Sequence, residues 1–230
     1  MWGINEFTGP RRRPLYAHTD NSMELITAFE ELGTVHGTST PEQPQSNGRA
    51  ERYVRTALEG ARTVLQQVGL PAQMWPYAVR HYALATNIAI RHGSSAYYRR
   101  FGRHWSGPMH PFGCYVEFKP PRSLGKTRSK FGPDCIPGIF LGYFLLPGGL
   151  WRFDFLVAPK EDFDSLARGT LETRIRIFRV PEVVRDTEVP SVFPMGEFNR
   201  ETRTKIGIRW GGSPFATPST SRSEERRTRL

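Results

Sequence analysis

The most constraining feature of the sequence is a pair of long helical patterns between residues 47 and 90. In the first, apolar side chains recur at the three- and four-residue spacing of one helix face, namely Ala50, Val54, Ala57, Leu58, Ala61, Val64, Leu65 and Val68. Gly69 followed by Pro71 is typical of a helix end. The second pattern runs from about Pro71 to Ile90, and it predicts an inward face formed by Trp75, Val79, Tyr82 and Ala85.

Shorter patterns precede these helices. Residues 13–20 predict a strand that ends at Asp20, and residues 34–39 predict a second strand. Between them, residues 21–33 have helical spacing, with Asn21 and Glu24 as a capping pair and Gly33 as the stop. The amino-terminal part therefore predicts an α/β arrangement.

After Gly93 the pattern changes. Residues 93–109 are typical of a connector, and four runs rich in β-forming residues follow at 114–120, 138–145, 150–159 and 174–184. Pro147-Gly148-Gly149 is a hairpin-turn signal between the second and third runs. These short strands predict a small β-barrel over residues 110–185. Residues 186–230 are rich in Arg, Ser and Thr, and they predict a disordered basic tail.

The charge balance narrows the classes of partner. The chain carries 32 Lys and Arg against 22 Asp and Glu, which gives a net charge of +10. Such an excess favours nucleic acid as a partner, although it also serves solubility. No apolar run approaches the roughly 20 residues that span a bilayer. The amino terminus also lacks the apolar core of a secretion signal. We therefore expect an intracellular protein of the nucleus or cytoplasm that is neither secreted nor bound to a membrane.

Four side chains in His-His-Cys-Cys order, His104, His110, Cys114 and Cys135, are possible ligands of a zinc ion. The twenty residues between the two cysteines exceed the usual spacing of a zinc finger. We therefore interpret both cysteines as small apolar side chains that stay reduced.

Two acidic residues occupy positions where metal-binding carboxylates are common. Asp20 ends a predicted strand, and Glu51 lies in the first turns of a predicted helix, so the path of the chain can bring them together. Two converging carboxylates can share a divalent metal for phosphoryl transfer. Alternatively, Asp20 belongs to the turn that starts the next helix, and Glu51 forms a solvent-exposed i,i+4 pair with Arg55.

The segments "HTDNSMEL" (18–25) and "TPEQPQSNGRAER" (40–52) resemble the second half of the catalytic core of copia-type retrotransposon integrases. The resemblance implies a partial ribonuclease-H-like core over residues 1–92, in which Asp20 and Glu51 are the second and third acids of the D,D-E triad and bind Mg²⁺ or Mn²⁺. It implies that Asn47 and Gly48 shape the loop. It also implies DNA contacts, with element ends and target DNA, from Gln45, Asn47, Arg49, Arg52 and Arg55.

The resemblance covers roughly residues 13–185. "FGCYVEFKPP" (112–121) and "KFGPDCIPGIFLGYF" (130–144) resemble the SH3-like domain that follows the core in this family. They imply that the barrel at 110–185 is SH3-like. The resemblance leaves a homo-oligomer open.

The chain also departs from the family. No Asp precedes Asp20, Glu6 is the only earlier acid, and Ser22-Met23 replaces the family's glycine pair. Because a two-metal site needs a carboxylate that bridges both ions, we expect this chain alone not to catalyse strand transfer. Two other functions stay open: a non-catalytic DNA-binding remnant and an SH3-like protein-interaction module.

Overall fold

The computed structural model describes residues 2–9, 13–39, 48–121, 134–169, 174–186 and 188–205. In its amino-terminal half the elements are α1 (Trp2–Thr8), β1 (Tyr16–Thr19), α2 (Met23–Glu31), β2 (Val35–Thr38), α3 (Gly48–Val68), a 3₁₀ turn (Ala72–Met74), α4 (Trp75–Ile88) and α5 (Ala96–Phe101). The later elements are β3 (Tyr115–Phe118), β4 (Ile136–Leu146), β5 (Leu150–Pro159), α6 (Lys160–Ala167), β6 (Phe178–Val180) and α7 (Pro194–Lys205). No described helix is both long enough and apolar enough to cross a bilayer.

Strands β1 and β2 form a parallel pair joined by helix α2. Thr19 lies opposite Thr38, so both strands end at the same edge. The two strands and the helix confirm the sequence prediction, and Gly33 has a φ of +61° at the helix end. The predicted Asn21–Glu24 capping pair is wrong. Helix α2 begins one residue later than that pair requires, with Ser22 at the N-cap and no side-chain capping bond.

Helices α3 and α4 are joined at Gly69, whose φ of +72° suits glycine. The two predicted helices are confirmed, but the predicted inward position of Trp75 is wrong, since this side chain is 57% exposed. Because the 3₁₀ turn precedes it, Trp75 is the first residue of α4, where neighbouring elements do not bury its side chain. The buried side chains of α4 and the preceding turn are Met74, Ala78 and Leu84.

The later strands form one antiparallel sheet in the order β3-β4-β5-β6. The hairpin at Pro147-Gly148-Gly149 is confirmed, and both glycines have positive φ. The sheet is curled into a half-barrel. Beyond β6 the chain returns to the outer edge of β3, where Glu117 and Val184 exchange two backbone hydrogen bonds of 2.8–2.9 Å.

Strand β4 is buried on both faces. One face carries Phe140 into a core formed with β3 and β5, where Cys114, Val116, Phe118 and Val157 are almost fully buried. The other face carries Ile139 and Leu141 against α3, α4 and α6. The hydrophobic core therefore extends across residue 92, the predicted end of the catalytic-core part. The domain limits themselves stay predictions.

Two segments are more ordered than their composition suggests. Within the predicted connector 93–109, Ser95 caps helix α5 by accepting a hydrogen bond from the Tyr98 N–H at 3.0 Å.

Within the predicted disordered tail 186–230, residues 194–205 form α7, so that prediction is wrong there. Met195 of α7 is buried against the end of α3, and this contact orders a segment that its polar composition alone would not. Residues 206–230 lie outside the described residues.

Candidate nucleic-acid interface on helix α3

Asp20 lies at the carboxyl edge of the parallel strand pair, directly after β1, and it is exposed. The Thr19 hydroxyl donates to the Asp20 carbonyl at 2.9 Å and lies 2.8 Å from His36 Nε2 on β2. The Ser39 N–H in turn donates to the Thr19 carbonyl at 2.8 Å. In α/β proteins this edge is where ligand sites form. The position of Asp20 at a strand end thus agrees with the sequence prediction.

Glu51 lies in the first turn of α3 and is exposed. Gln45 and Asn47 fall within residues 40–47, which lie outside the described residues, so the path of the loop between Asp20 and Glu51 is not tested. Within the described residues, no three His, Cys, Asp or Glu side chains group closely enough to hold a metal ion. The described residues thus supply Asp20 and Glu51 as two of the carboxylates that a metal pair needs, and the binding of Mg²⁺ or Mn²⁺ stays a prediction.

Four exposed arginines line α3: Arg49, Arg52, Arg55 and Arg62. Arg52, Arg55 and Arg62 are spaced three and seven residues apart, so they share a helix face. That face lies opposite the buried stripe, in which Ala61 is only 3% exposed. We refer to these four residues as the arginine face. Guanidinium groups bind phosphate through paired hydrogen bonds, so a row of them suits a nucleic-acid backbone.

The arginine face borders a groove whose floor is apolar. The groove is lined by Ala50, Val54 and Leu58 together with Glu51, Arg55, Glu59 and Arg62. Val54 is 60% exposed and Leu58 is 45% exposed, although the sequence pattern predicts both in the buried stripe. Periodicity correctly predicts the apolar face of α3, but the other elements cover it only toward its carboxyl end. There, α3 packs against α4 and α7.

Of the four residues in His-His-Cys-Cys order, His110 and Cys114 are buried, His104 is exposed and Cys135 is partly buried. Cys114 is completely buried in the sheet, and burial raises the pKa of its thiol to about 11. His110 accepts a 3.3 Å hydrogen bond at Nδ1 from Arg185, and burial followed by the Arg185 charge lowers its pKa. His81 on α4 donates from Nε2 to the His110 carbonyl at 3.0 Å. These bonds join α4 and the segment after β6 to the loop that precedes β3, so both histidines take part in the packing between elements.

A second surface, which no sequence pattern predicts, lies at the hairpin end of β5. Trp105 stacks on Trp151 with ring centroids 4.9 Å apart, and Trp151 contacts Phe153 at 5.0 Å. The residue run 150–159 predicts a strand, and its β-forming residues do not indicate the bulge that exposes Phe153. The close spacing of Trp151, Arg152 and Phe153 is the one signal in this run for an aromatic and basic surface.

The relatives of this chain include retrovirus-related Pol polyproteins from plant transposons. The chain is 28% identical over 191 residues to a retrovirus-related Pol polyprotein from transposon TNT 1-94 of Nicotiana tabacum, covering 78% of the chain. It is 36% identical over 140 residues, 56% of the chain, to the corresponding polyprotein from transposon RE1 of Arabidopsis thaliana. It is also 36% identical over 64 residues, 26% of the chain, to that from transposon RE2 of the same plant. No protein-family model matches the chain.

The matched regions are small parts of these relatives. The chain spans 13% of the TNT 1-94 polyprotein, 9% of the RE1 polyprotein and 4% of the RE2 polyprotein. The similarity therefore relates this chain to retrotransposon Pol polyproteins at modest identity.

Proposed function

We propose that this chain is a DNA-binding part of a retrotransposon Pol polyprotein, derived from its integrase, and that α3 contacts the DNA backbone. The observation that carries the proposal is the arginine face. Four exposed guanidinium groups project from one helix, which is held in the core at its carboxyl end.

The electrostatics of α3 support a phosphate ligand. Glu51 and Glu59 partly offset the four arginines, but both lie beside the groove, four residues on either side of Arg55. Residues 69–116, which follow α3 on the chain, contain five arginines and no Asp or Glu. Helices α4 and α5 therefore contribute no acidic side chain that could offset the arginines of α3. Such a surface attracts a polyanion before any specific contact forms.

The assignment to integrase rests on the resemblance of residues 18–25 and 40–52 to the copia-type family. In support, β1, α2 and β2 have the strand–helix–strand order of part of a ribonuclease-H-like core, with α3 next in the chain. The curled sheet β3–β6 similarly supports an SH3-like domain. On this proposal Asp20 and Glu51 are the second and third acids of an ancestral triad.

The proposal does not extend to strand transfer by this chain alone. In phosphoryl transfer with two metal ions, the ions must stabilise both the attacking and the leaving oxygen. The described residues contribute Asp20 and Glu51 as single exposed carboxylates, each without a grouped third ligand. What α3 retains is the ability to bind and orient a phosphate backbone through Arg49, Arg52 and Arg55.

Salt dependence tests the proposal directly. The affinity of the purified chain for a fluorescent DNA duplex is measured by anisotropy at increasing KCl concentration. Because each neutralised phosphate releases counterions, log K should fall linearly with log salt, with a slope near −0.9 per contact. Three to four contacts predict a slope of roughly −3 to −4. Absence of binding at low salt, or a flat profile, would contradict DNA binding and favour an SH3-like protein-interaction module.

A further inference from the structure

Phe153 has an unusual backbone conformation for an exposed aromatic residue. Its φ is +63°, in the left-handed region that bulky side chains avoid, and its side chain is 67% exposed. Burial of the ring therefore does not account for the strain. Residues held in this way are concentrated at ligand-binding positions.

The bulge that contains Phe153 is held by several specific contacts. Tyr143 pairs with Phe155 and Leu145 pairs with Trp151, so the three residues 152–154 lie opposite Phe144 alone. The Trp151 indole donates to the Asp154 carbonyl at 2.8 Å, and Arg179 on β6 donates to the Asp154 carboxylate. These bonds fix both ends of the bulge. Bulges of this kind redirect a side chain out of the strand alternation.

The exposed ring is the outer member of a row of aromatic side chains. Phe153 contacts Trp151, Trp151 stacks on Trp105 at an interplanar angle of 26°, and Trp105 meets Tyr97 of α5 edge-on at 5.5 Å. Tyr97 is buried. The row therefore leads from the core to solvent, and its inner members keep the position of the outer ones fixed.

Exposed arginines lie close in sequence to the members of this row. Arg152 is exposed next to Phe153 in the chain, and Arg99 and Arg103 are exposed on α5 and just after it. Asp154, the acid within the bulge, is already paired with Arg179. Exposed aromatic rings together with arginines are the combination with which proteins bind single-stranded nucleic acid, because every base has a flat face and every nucleotide has a phosphate.

We propose that Phe153 and Trp151 form a stacking surface for an unpaired nucleobase, whose flanking phosphates bind Arg152, Arg99 and Arg103. The inference rests on the proposed function for the class of ligand. The stacking surface is separate from α3, and its proposed ligand is single-stranded nucleic acid, whereas the proposed ligand of α3 is the backbone of duplex DNA. The positive charge favours this ligand over a proline-rich peptide, which would need the rings but not the arginines.

The test separates bases from phosphates. Anisotropy is measured with a labelled oligothymidine of about 12 nucleotides and with an abasic oligomer of the same length and charge. The unmodified chain should bind the oligothymidine about tenfold more tightly, as expected when at least one base stacks. Phe153→Gly should reduce this ratio to near one. Because glycine tolerates a positive φ, the same variant should unfold at a higher denaturant concentration, so lost binding does not reflect lost folding.

Trp75→Ala provides the matched control, since Trp75 is another aromatic side chain that is more than half exposed, on α4. It should leave the base preference unchanged. Equal affinity of the unmodified chain for both oligomers would overturn the proposal, as would a Phe153→Gly variant that keeps the preference. A proline-rich peptide that binds through Phe153 in the absence of any base preference would also overturn it.

Duplex binding distinguishes this proposal from the one for α3. Phe153→Gly should bind duplex DNA like the unmodified chain. A chain that prefers the oligothymidine but does not bind duplex DNA would support the stacking surface and contradict the arginine face. A chain that binds duplex DNA but has no preference for the oligothymidine would support the arginine face and contradict the stacking surface.

Discussion

The Asn199 side chain donates a 2.9 Å hydrogen bond to the Gly69 carbonyl, joining α7 to the end of α3 across 130 residues of sequence. Gly69 has a φ of +72°, and a Cβ atom placed on it would lie 2.8 Å from the Gly196 backbone on α7. The absence of a side chain at Gly69 therefore permits both the helix end and the close approach of α7.

Replacement of Gly69 by alanine tests this contact. Gly69→Ala combines the left-handed backbone cost of about 1–2 kcal/mol with a clash against backbone that cannot rotate away. We expect α7 to detach and become a site of rapid cleavage in limited proteolysis. Gly33→Ala is the control, because Gly33 also has positive φ but nothing lies within 4 Å of its added Cβ. Equal stability loss in both variants, with α7 still protected from protease, would argue against the contact.

Charge reversal on α3 tests the arginine face. Arg52→Glu combined with Arg55→Glu should weaken duplex binding by at least about tenfold near 50 mM salt and reduce the salt slope by about two. Both side chains are exposed, so the fold should be unaffected. Arg168→Glu with Arg174→Glu makes the same charge change at exposed positions between α6 and β6. If this control pair weakens binding equally, the effect is one of net charge and the assignment to α3 fails.

Removal of the Glu51 charge should have the opposite effect. Glu51 is exposed beside Arg55, so its carboxylate repels a phosphate bound there. Glu51→Gln should leave duplex affinity unchanged or raise it by up to a few-fold, measured by anisotropy at low salt. Glu30→Gln on α2 is a matched exposed control. A marked loss of affinity in Glu51→Gln would show that the carboxylate contributes to binding, as it would through a shared metal.

Asp162 anchors the segment that leads into β6. Its carboxylate is almost fully buried and accepts hydrogen bonds from the Arg176 backbone N–H and Nε at 3.0 Å and from the Arg176 terminal nitrogen at 2.5 Å. Asp162→Ala should lower the free energy of unfolding by about 2–4 kcal/mol, because several charge-assisted bonds are lost together. Urea denaturation measures the change.

The pair of Lys160 and Asp164 on the same helix is the control for Asp162. Both of these side chains are about one-third exposed, and Lys160→Ala should cost at most about 1 kcal/mol. If Asp162→Ala lowers the free energy of unfolding by no more than Lys160→Ala does, the hydrogen bonds of the buried carboxylate are replaceable by bonds to water.

The stability of the chain should fall in mild acid because of His81 and His110. Burial is the main cause that lowers the pKa of both, so each binds protons more readily in the unfolded chain. Their contribution is present above pH 6.5, the ordinary histidine value, and is lost as the pH falls below it toward the folded-state pKa. Denaturant midpoints at pH 7.5 and 5.5 should therefore differ, and His81→Gln should reduce the difference. The exposed His92 is the control, and His92→Gln should leave the difference unchanged.

Local patterns in the sequence determined the secondary structure of much of the described chain. The spacing in α3, the β-forming runs, and the glycines at 33, 69, 148 and 149 predict elements that the structure contains. They do so because periodicity and positive φ are properties of the chain itself. The strand-end position of Asp20 and the first-turn position of Glu51 follow from the same patterns.

The tertiary structure decided which of these surfaces are covered. Val54 and Leu58 belong to the apolar stripe of α3 yet are exposed, whereas polar α7 is held in place by contact with α3. The left-handed conformation of Phe153 likewise depends on Trp151, Asp154 and Arg179, which meet only when β5 pairs with its neighbours. Burial and strain depend on partners distant in sequence, and no local pattern specifies them.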